Sequence, residues 1–326
     1  MPKFEVVMSD LRFPDAAIET ELLQSFGCRL KVCNCDTEDE LIKECENADA
    51  ILLNLAPCSR NVIDNLANCK VISRYGVGYD NVDVQACTDR GIVVTNVPDY
   101  CAEDVSDMAV ALILACIRRV AMKDRLIREG KWNINANHMM RLEGKTLSLI
   151  GFGRIGHALV RKLKGFNLSK IYIYDPFVSE ETILECGAIK TNLEEALREG
   201  DIVSLHLPLN SETRGIIGFD ELALMKQSAI LINTSRGALV DESALIKALK
   251  EGDIAGAGLD TFNIEPIESN NELLKLDNCV LTDHSGFNTE EAVEELRIKA
   301  TQNVVDVLIG KKPKYGINIS AIAGLV

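Results

Sequence analysis

Short apolar runs alternate with amphipathic stretches through the first hundred residues of the chain. Five runs rich in aliphatic and β-branched residues predict strands, in the order FEVVMSD, RLKVCNC, AILLNLA, KVISRYG and GIVVTNV. Three amphipathic stretches between them predict helices over Pro14–Phe26, Glu38–Cys45 and Arg60–Leu66. This alternation of strands and helices predicts a parallel α/β sheet.

A long amphipathic helix is predicted after the break at Pro98. The acidic residues Glu103 and Asp104 are typical of a first helical turn. Apolar side chains then recur at helical spacing, at Val105, Met108, Ala109, Leu112, Ile113 and Cys116. We expect the chain to cross from one domain to another at this helix.

A second α/β series begins at Lys145, with strands predicted at TLSLI, IYIY, DIVSLHL, AILINT, IAGAGLD and CVLT. Helical segments separate the first five, so six strands are expected in a doubly wound parallel sheet. The amphipathic tail Glu290–Gly310 is predicted to return to the first domain. The expected division is a discontinuous domain of residues 1–100 and 288–326, and a second domain of residues 101–287.

Three glycines stand within the six residues GFGRIG, between the strand TLSLI and the helical stretch HALVRKLKG. At such a turn, Gly151 permits a sharp bend and Gly153 lets a pyrophosphate approach the backbone. Gly156 lets the helix pack closely on the strand, and the free N–H groups of the helix start favour phosphate. The pattern predicts a dinucleotide site, with a purely structural turn as the alternative.

An acidic residue indicates which dinucleotide is bound. Asp175 ends the next strand, IYIY, nineteen residues after Gly156. A carboxylate at this distance suits the ribose hydroxyls of NAD and repels the 2′-phosphate of NADP. Pro176 and Phe177, which follow it, supply no positive charge for that phosphate. The sequence therefore predicts NAD as the cofactor.

A second glycine cluster, YGVGYDNVD at residues 75–83, lacks a third glycine and a matching downstream acid. We therefore expect no second dinucleotide site there. The preferred interpretation is a loop whose backbone at Val77 and Gly78 faces a substrate, and the alternative is a plain turn.

Residues with catalytic chemistry follow the last three predicted strands. Arg236 comes after AILINT, Glu265 after IAGAGLD and His284 after CVLT. Because the carboxyl ends of parallel strands share one edge of a sheet, we expect these three side chains to lie together. Histidine exchanges protons near neutral pH, a nearby carboxylate favours its protonated form, and arginine clamps a carboxylate. Such a set can hold a 2-oxo acid and protonate its oxygen as hydride arrives.

Taken singly, each of these residues can be an ordinary surface or polar residue, and only their joint placement favours catalysis. His206, in LHLPL, ends another predicted strand at the same edge, where cofactor contact and core packing are both open. His138 and His157 are expected to be ordinary surface or helix residues.

These motifs resemble those of the D-2-hydroxyacid dehydrogenase family along essentially the whole chain. The matching stretches are GVGYDNVD, GFGRIG with Asp175, LHLPLNSETRGIIG, INTSRGALVDESAL, GAGLDTFNIEP and TDHSG. The resemblance implies an NAD-binding Rossmann domain, a discontinuous flavodoxin-like substrate-binding domain, a substrate cleft between them and a homodimer. Within the family, NVPDYCAED and the C-terminal stretch look most like the branch of C-terminal-binding proteins and glycerate or phosphoglycerate dehydrogenases.

The resemblance also implies roles for individual residues. Arg236 would clamp the substrate carboxylate with the backbone of Val77 and Gly78, and His284 would be the acid–base residue with Glu265 as its partner. Phe287, where the C-terminal-binding branch carries a pocket aromatic, would contact the substrate side chain. The residues implied at the cofactor are Gly151, Gly153, Arg154, Ile155, Gly156, Asp175, His206, Leu207, Pro208, Thr213, Thr234, Ser235, Arg236, Asp260, His284 and Gly286.

Two departures from the family pattern leave the substrate open. The family usually has proline immediately before the catalytic histidine, where this chain has Asp283, and Ser285-Gly286-Phe287 replaces the usual alanine-rich sequence after it. Glyoxylate, hydroxypyruvate, a 3-phospho acid and an aromatic keto acid all remain candidates. Arg74 is a candidate for binding a substrate phosphate, with a solvated charge at a strand end as the alternative.

Composition narrows the function classes further. The 326 residues carry a net charge of −14, which argues against nucleic acid and anionic membranes as partners. The apolar stretch Met108–Ile117 is about half of a membrane span, and the start of the chain lacks the pattern of a secretory signal. The eleven cysteines include no Cys-x-x-Cys pair, which predicts reduced cytoplasmic thiols and no metal site.

The combined prediction is an NAD-dependent reductase that converts 2-oxo acids to D-2-hydroxy acids. We expect a cytoplasmic homodimer whose partner is a small-molecule acid. The alternative is an NAD(H)-sensing interaction protein, similar to the C-terminal-binding proteins, with little turnover.

Overall fold

The computed structural model describes residues 3–132 and 139–322, and His138 lies outside these residues. The chain divides into two compact units, each with its own core. The first unit comprises Met1–Tyr100 and Thr289–Val326, and the second comprises Cys101–Asn288. Asn288, which the sequence placed in the discontinuous domain, groups with the second unit.

The strands and helices of the described residues are numbered in chain order. The strands are β1 (Phe4–Met8), β2 (Cys28–Val32), β3 (Ala50–Leu53), β4 (Val71–Arg74), β5 (Val93–Thr95), β6 (Thr146–Ile150), β7 (Lys170–Tyr174), β8 (Ile189–Lys190), β9 (Ile202–Leu205), β10 (Ile230–Asn233), β11 (Gly256–Leu259) and β12 (Cys279–Leu281). The helices are α1 (Ala17–Ser25), α2 (Glu38–Cys45), α3 (Arg60–Asp64), α4 (Val84–Asp89), α5 (Ala102–Arg118), α6 (Val120–Arg128), α7 (Arg154–Leu163), α8 (Glu180–Glu185), α9 (Leu193–Glu199), α10 (Phe219–Leu224), α11 (Glu242–Glu251) and α12 (Glu290–Leu308).

The sheet of the first unit is parallel and, in the described residues, has the order β2-β1-β3-β4-β5. Val6 of the central strand pairs with Leu30 on one side and with Ala50 on the other. This order is the flavodoxin-like one, so the predicted parallel α/β architecture is confirmed for this unit. The C-terminal helix α12 packs against α1, β3, β4 and β5, and so closes the core of the unit.

Helix boundaries in the first unit differ from the predicted ones because side-chain contacts override periodicity. Helix α1 begins at Ala17 rather than Pro14, where the Asp15 carboxylate accepts the Ala17 N–H. Helix α3 ends before the predicted Leu66, and α4 was not predicted. Within the second unit, the long helix α5 ends at Arg118 because Arg119 adopts a left-handed conformation with φ 53°.

The sheet of the second unit is also parallel, and its described strands run in the order β12-β11-β10-β9-β6-β7-β8. The chain begins this sheet in the middle at β6, proceeds to β7 and β8, and then crosses to β9 on the other side. The predicted six strands were therefore one short. Strand β8 was missed because it is two residues long and is defined only by its pairing with Tyr172 and Ile173 of β7.

Alternate residues of the central strands in the second unit face two separate layers of helices. Ile230 and Ile232 of β10 pack in the cluster that contains residues of α5 and α7. Leu231, between them, packs in the cluster that contains residues of α9 and α11. Because both faces of a parallel sheet are covered, its strands are continuously apolar, as the sequence of β10 shows.

Among residues 3–132 and 139–322, no helix combines the length and the apolar character that crossing a bilayer requires. Over the same residues, no cluster of three or more histidine, cysteine or acidic side chains is arranged to bind a metal ion.

All eleven cysteines lie in described residues and are outside disulfide bonds there, and burial makes most of them unreactive. Seven are buried and four, Cys33, Cys69, Cys186 and Cys279, are partly exposed. Burial raises the pKa of Cys35 to about 11 and the pKa values of Cys87 and Cys116 to about 12. Because the thiolate is the reactive form, these side chains behave as small apolar residues.

We predict that Ellman's reagent at pH 8 modifies at most the four partly exposed thiols of the folded protein. In guanidinium chloride all eleven should react, because unfolding removes the burial that raises their pKa values. Rapid modification of more than four thiols in the folded protein would contradict this packing.

Candidate active site

The residues predicted at the cofactor all lie in the second unit, at or beyond the carboxyl end of a strand. Gly151 follows β6, Asp175 follows β7, His206 follows β9, Thr234 follows β10 and Asp260 follows β11. The remaining cofactor residues of the prediction lie in the loops or helices that these strands lead into. The sheet therefore gathers them at one edge, which is where parallel α/β sheets bind ligands.

The glycine turn has the geometry that a nucleotide-binding loop requires. Gly151 has φ 96°, and a Cβ added there would lie 2.5 Å from the backbone oxygen of His206. Gly153 is the N-cap residue of α7 and has no side chain to satisfy the first N–H groups of the helix. The first helical hydrogen bond runs from His157 N to Gly153 O, so the N–H groups of Arg154, Ile155 and Gly156 point out of the helix end.

Asp175 connects the glycine turn to the end of the neighbouring strand. One carboxylate oxygen accepts the Phe152 N–H at 2.8 Å. The other accepts the N–H groups of Phe177 at 2.8 Å and Val178 at 3.2 Å. The oxygen that accepts the single Phe152 N–H has a second lone pair, so the half-buried side chain can still accept a hydroxyl group there. Asp175 therefore has a structural role in the turn that its spacing alone did not indicate.

His284 and Glu265 form a direct pair. The Nδ1 atom of His284 lies 2.7 Å from Glu265 Oε2, and each side chain is about one-third exposed, at 34% and 37%. Glu265 Oε1 also accepts the Phe262 N–H at 2.9 Å, which fixes the carboxylate against its own loop. With Nδ1 committed to Glu265, the Nε2 atom is the one left to exchange a proton with a ligand.

Electrostatics keep Glu265 ionised beside His284. Burial raises the pKa of Glu265, but hydrogen bonds from His284 and the Phe262 N–H lower it more. The positive charges of His284 and Arg236 lower it further, so the net pKa is below the usual value. The structure thus brings Arg236 into the electrostatic neighbourhood of the pair, as the sheet topology predicted.

The loop that carries His284 is held by the buried carboxylate of Asp260, which is 1% exposed. Asp260 accepts the Thr282 hydroxyl at 2.6 Å, the Ser285 N–H at 3.1 Å and the Gly286 N–H at 2.9 Å. His284 has φ 57°, a left-handed conformation that is uncommon for a non-glycine residue. Because three hydrogen bonds converge on it, Asp260 stabilises the loop in which this conformation occurs.

Asp283, the departure from the family pattern, is exposed. Hydrogen bonds from the Ser285 side chain and from its own backbone N–H lower the pKa of Asp283. Its carboxylate is thus engaged within its own loop.

Gly237 lets the loop of Arg236 pack directly on the loop of Glu265. A Cβ added at Gly237 would lie 2.0 Å from the carbonyl carbon of Phe262 and 2.4 Å from Asn263 N. The backbones of the two loops are therefore in contact, with no room for a side chain. The Asn233 side chain donates to the Arg236 carbonyl at 2.8 Å and accepts the Ser235 N–H at 3.0 Å, which holds the turn at the end of β10.

Comparison with known proteins identifies the family to which the chain belongs. Residues 110–286 match the family model described as D-isomer specific 2-hydroxyacid dehydrogenase, NAD binding domain. The glyoxylate reductase of Korarchaeum cryptofilum is 42% identical over 283 residues, which are 86% of this chain and 84% of that protein. The chain belongs to the D-isomer specific 2-hydroxyacid dehydrogenase family. It is therefore an NAD-dependent oxidoreductase that acts on the CH–OH group of 2-hydroxy acids.

Two further relatives define the range of similarity within this family. The D-3-phosphoglycerate dehydrogenase of Methanocaldococcus jannaschii is 36% identical over 98% of this chain, but the match covers 60% of that protein. The crystal structure of a glyoxylate reductase from Paecilomyes thermophila matches with a TM-score of 0.89 and 30% identity, over 97% of this chain and 99% of that one. Because the relatives are named reductases and dehydrogenases, the alternative of an interaction protein with little turnover is not favoured.

Unpaired polar atoms at the strand ends fit the NAD cofactor of the family. In the described part of the chain, the buried hydroxyl oxygens of Thr234 and Thr261 and the Nδ1 atom of His206 have no hydrogen-bond partner. Burial lowers the pKa of His206 to about 4, so its ring is neutral and one nitrogen can accept a hydrogen bond. Together with the open N–H groups of α7, these atoms give a dinucleotide its polar contacts.

Other residues predicted at the cofactor make hydrogen bonds and packing contacts that hold the loops after the strands. The Thr213 hydroxyl donates to Pro208 O at 2.7 Å and accepts the Asn210 N–H at 2.9 Å. The Ser235 hydroxyl donates to Leu205 O at 2.8 Å, which joins the ends of β9 and β10. Leu207 packs against the core cluster of the second unit.

The predicted substrate residues lie in both units. In the second unit, the ring of Phe287 meets the ring of His284 edge-to-face at 6.3 Å between centroids. In the first unit, Val77 is exposed and Gly78 is half-buried, directly after β4. The Arg74 side chain folds back over this turn and donates to Tyr75 O at 2.5 Å, so Arg74 is more than a solvated charge.

Sequence reasoning missed the positioning residues of the site. Neither the glycine after Arg236 nor the loop-holding role of Asp260 was predicted, because each depends on a neighbouring strand loop. His157, expected to be ordinary, is exposed on α7 and stacks on the Phe152 ring at 3.9 Å between centroids.

We predict that Gly237→Ala lowers kcat about 100-fold, because the new Cβ forces the Arg236 and Glu265 loops apart. Steady-state kinetics with a 2-oxo acid and NADH measure the effect. The matched control is Gly165→Ala, where no described atom lies within 4 Å of an added Cβ, and it should keep the wild-type kcat. Equal kcat in the two variants would show that contact between these loops is not required.

Proposed function

We propose that this enzyme reduces small 2-oxo acids, with glyoxylate as the leading substrate, to the 2-hydroxy acids. The observation that carries the proposal is the pairing of His284 with Glu265 at 2.7 Å beside Arg236. This set supplies a proton donor and a carboxylate clamp at the strand ends that hold the cofactor residues. The glyoxylate assignment is supported by relatives of that name that match over most of their own length.

His284 is proposed to protonate the carbonyl oxygen of the substrate. NADH, when bound, supplies the hydride that reduces the substrate carbon. Because Nδ1 of His284 is bonded to Glu265, the proton is delivered from Nε2. In the oxidative direction the same nitrogen takes the hydroxyl proton back.

Glu265 is proposed to orient the imidazole through the contact at Nδ1. Its lowered pKa keeps the carboxylate charged at neutral pH, so it stays a strong acceptor for that nitrogen. The Phe262 N–H holds the carboxylate in place while the proton is transferred. Formate dehydrogenases of the wider family pair their histidine with glutamine, so Glu265 argues against that activity.

Arg236 is proposed to bind the substrate carboxylate. The backbone of Val77 and Gly78 is also proposed, as predicted from the sequence, to contact this carboxylate. One guanidinium nitrogen of Arg236 donates to Ser235 O at 2.8 Å, which fixes the side chain at the end of β10. A fixed guanidinium binds a carboxylate with two N–H groups and little loss of conformational freedom. We propose that Phe287, edge-on to the His284 ring, contacts the substrate side chain.

We further propose a cytoplasmic homodimer. Eleven cysteines without a disulfide bond in the described residues support a reducing compartment. The exposed apolar side chains Val120, Ile127, Trp132 and Met139, on and after α6, support an interface within the cofactor-binding unit.

We predict that His284→Asn lowers kcat for glyoxylate reduction at least about 100-fold, because the acid is lost. NADH binding, measured by nicotinamide fluorescence, should stay near the wild-type affinity. The wild-type enzyme is tested first on glyoxylate, hydroxypyruvate, a 3-phospho acid and an aromatic keto acid. Wild-type turnover of none of these acids, or full activity of the variant, would reject the proposed function.

We predict that Glu265→Gln lowers kcat for glyoxylate reduction about tenfold or more, because a neutral amide holds the Nδ1 atom of His284 less strongly than a carboxylate does. Steady-state kinetics with glyoxylate and NADH measure the effect. Glu268→Gln, which neutralises an exposed carboxylate in the same loop, is the control and should keep the wild-type kcat. An unchanged kcat in Glu265→Gln would remove this role.

A further inference from the structure

Two successive carbonyl groups in the turn after β4 are fixed by the neighbouring strand end. Gly76 O accepts the Val97 N–H at 2.9 Å. Val77 O accepts the side-chain amide of Asn96 at 2.7 Å. Both donors belong to the segment that follows β5, so one side of the turn is bonded to that segment.

The planarity of the peptide bond converts these contacts into a direction for the opposite N–H groups. In a trans peptide the C=O and the following N–H point to opposite sides. Fixing Gly76 O therefore turns the Val77 N–H away from Val97, and fixing Val77 O turns the Gly78 N–H away from Asn96. Within the described residues, neither of these N–H groups has a hydrogen-bond acceptor. Two adjacent N–H groups presented in this way form an anion-binding nest.

Asn96 is itself held in place by the C-terminal helix. It is 8% exposed, and its backbone oxygen accepts the side-chain amide of Asn303 of α12 at 3.1 Å. Asn303 is 2% exposed. Since Asn96 is buried and its backbone is bonded, its amide has little freedom to leave Val77 O.

The start of the turn is anchored independently. The Tyr75 hydroxyl donates to the buried carboxylate of Glu19 at 3.1 Å. Arg297 binds the same carboxylate through two nitrogens, at 2.9 Å and 2.7 Å. The turn is therefore rigid on both sides of the exposed peptide, which reduces the entropy lost when an anion binds.

We propose that Asn96 is a positioning residue of the reaction, which holds the peptide between Val77 and Gly78 so that the Gly78 N–H binds the substrate carboxylate beside the Val77 N–H. The inference rests on the proposed function, because it takes a 2-oxo acid as the anion. Asn96 acts on substrate binding through this peptide and contributes no proton and no charge to the chemical step. Its loss should therefore raise KM for the 2-oxo acid more than it lowers kcat.

The test compares Asn96→Ala with Asn318→Ala in the full-length enzyme. Asn318 is also a buried asparagine of the first unit, 5% exposed, and it bonds Val94 N, Ile92 O and the Thr88 hydroxyl. Both substitutions remove a buried amide, but only the first one releases the Val77 carbonyl. The measurements are KM and kcat for glyoxylate, the dissociation constant for NADH, and Tm.

We expect KM for glyoxylate to rise about tenfold or more in Asn96→Ala, the scale of a lost hydrogen bond to a charged group. Asn318→Ala should keep KM within about twofold of wild type, and both variants should bind NADH normally. If Asn96→Ala does not fold, the isosteric pair Asn96→Asp and Asn318→Asp replaces the alanine pair. An equal KM for glyoxylate in the Asn96 and Asn318 variants overturns the proposed role of Asn96. The proposed function still stands in that case if the wild-type enzyme turns over a 2-oxo acid. A wild-type enzyme without turnover of any 2-oxo acid rejects the proposed function itself.

Discussion

The hydrogen bond between His284 and Glu265 joins two loops that follow neighbouring strands. The sheet brings these loops close together, but contacts outside the sheet fix their conformations. Asp260 binds the His284 loop through three hydrogen bonds, and Gly237 permits backbone contact between the Arg236 and Glu265 loops. Each is a short-range requirement: a carboxylate needs its donors within about 3 Å, and a glycine contact leaves no space for a methyl group. The geometry of the His284–Glu265 pair therefore depends on the buried carboxylate of Asp260 and on the absence of a side chain at Gly237.

In both units, a buried polar side chain fixes one side of a loop that follows a strand. In the second unit, a buried carboxylate fixes one side of the loop after β12. In the first unit, a buried amide fixes one side of the turn after β4. Because buried polar groups must be paired, such contacts are stable, and the planar peptide points the other side of the backbone away from the buried partner.

The anionic ligands of this enzyme bind to a chain of net charge −14. The groups proposed for them are local: the N–H groups at the start of α7, the turn at Val77 and Gly78, and the guanidinium of Arg236. Backbone N–H groups act over a few ångströms, while the overall charge is screened beyond about 10 Å. A negative net charge is therefore compatible with the binding of a dinucleotide or a small acid at these groups.

The sequence by itself predicted the parallel α/β architecture, and it placed the glycine turn, Asp175, Arg236, Glu265 and His284 after strands, where the structure has them. These features follow from periodicity and spacing within single βα units, which are local and visible in one dimension. Only the tertiary structure decided the two-residue strand β8, the close contact at Gly237 and the hydrogen bonds made by Asp260 and Asn96. Each of these joins segments far apart in the chain, and no pattern within one segment encodes which distant backbone group lies within hydrogen-bonding distance.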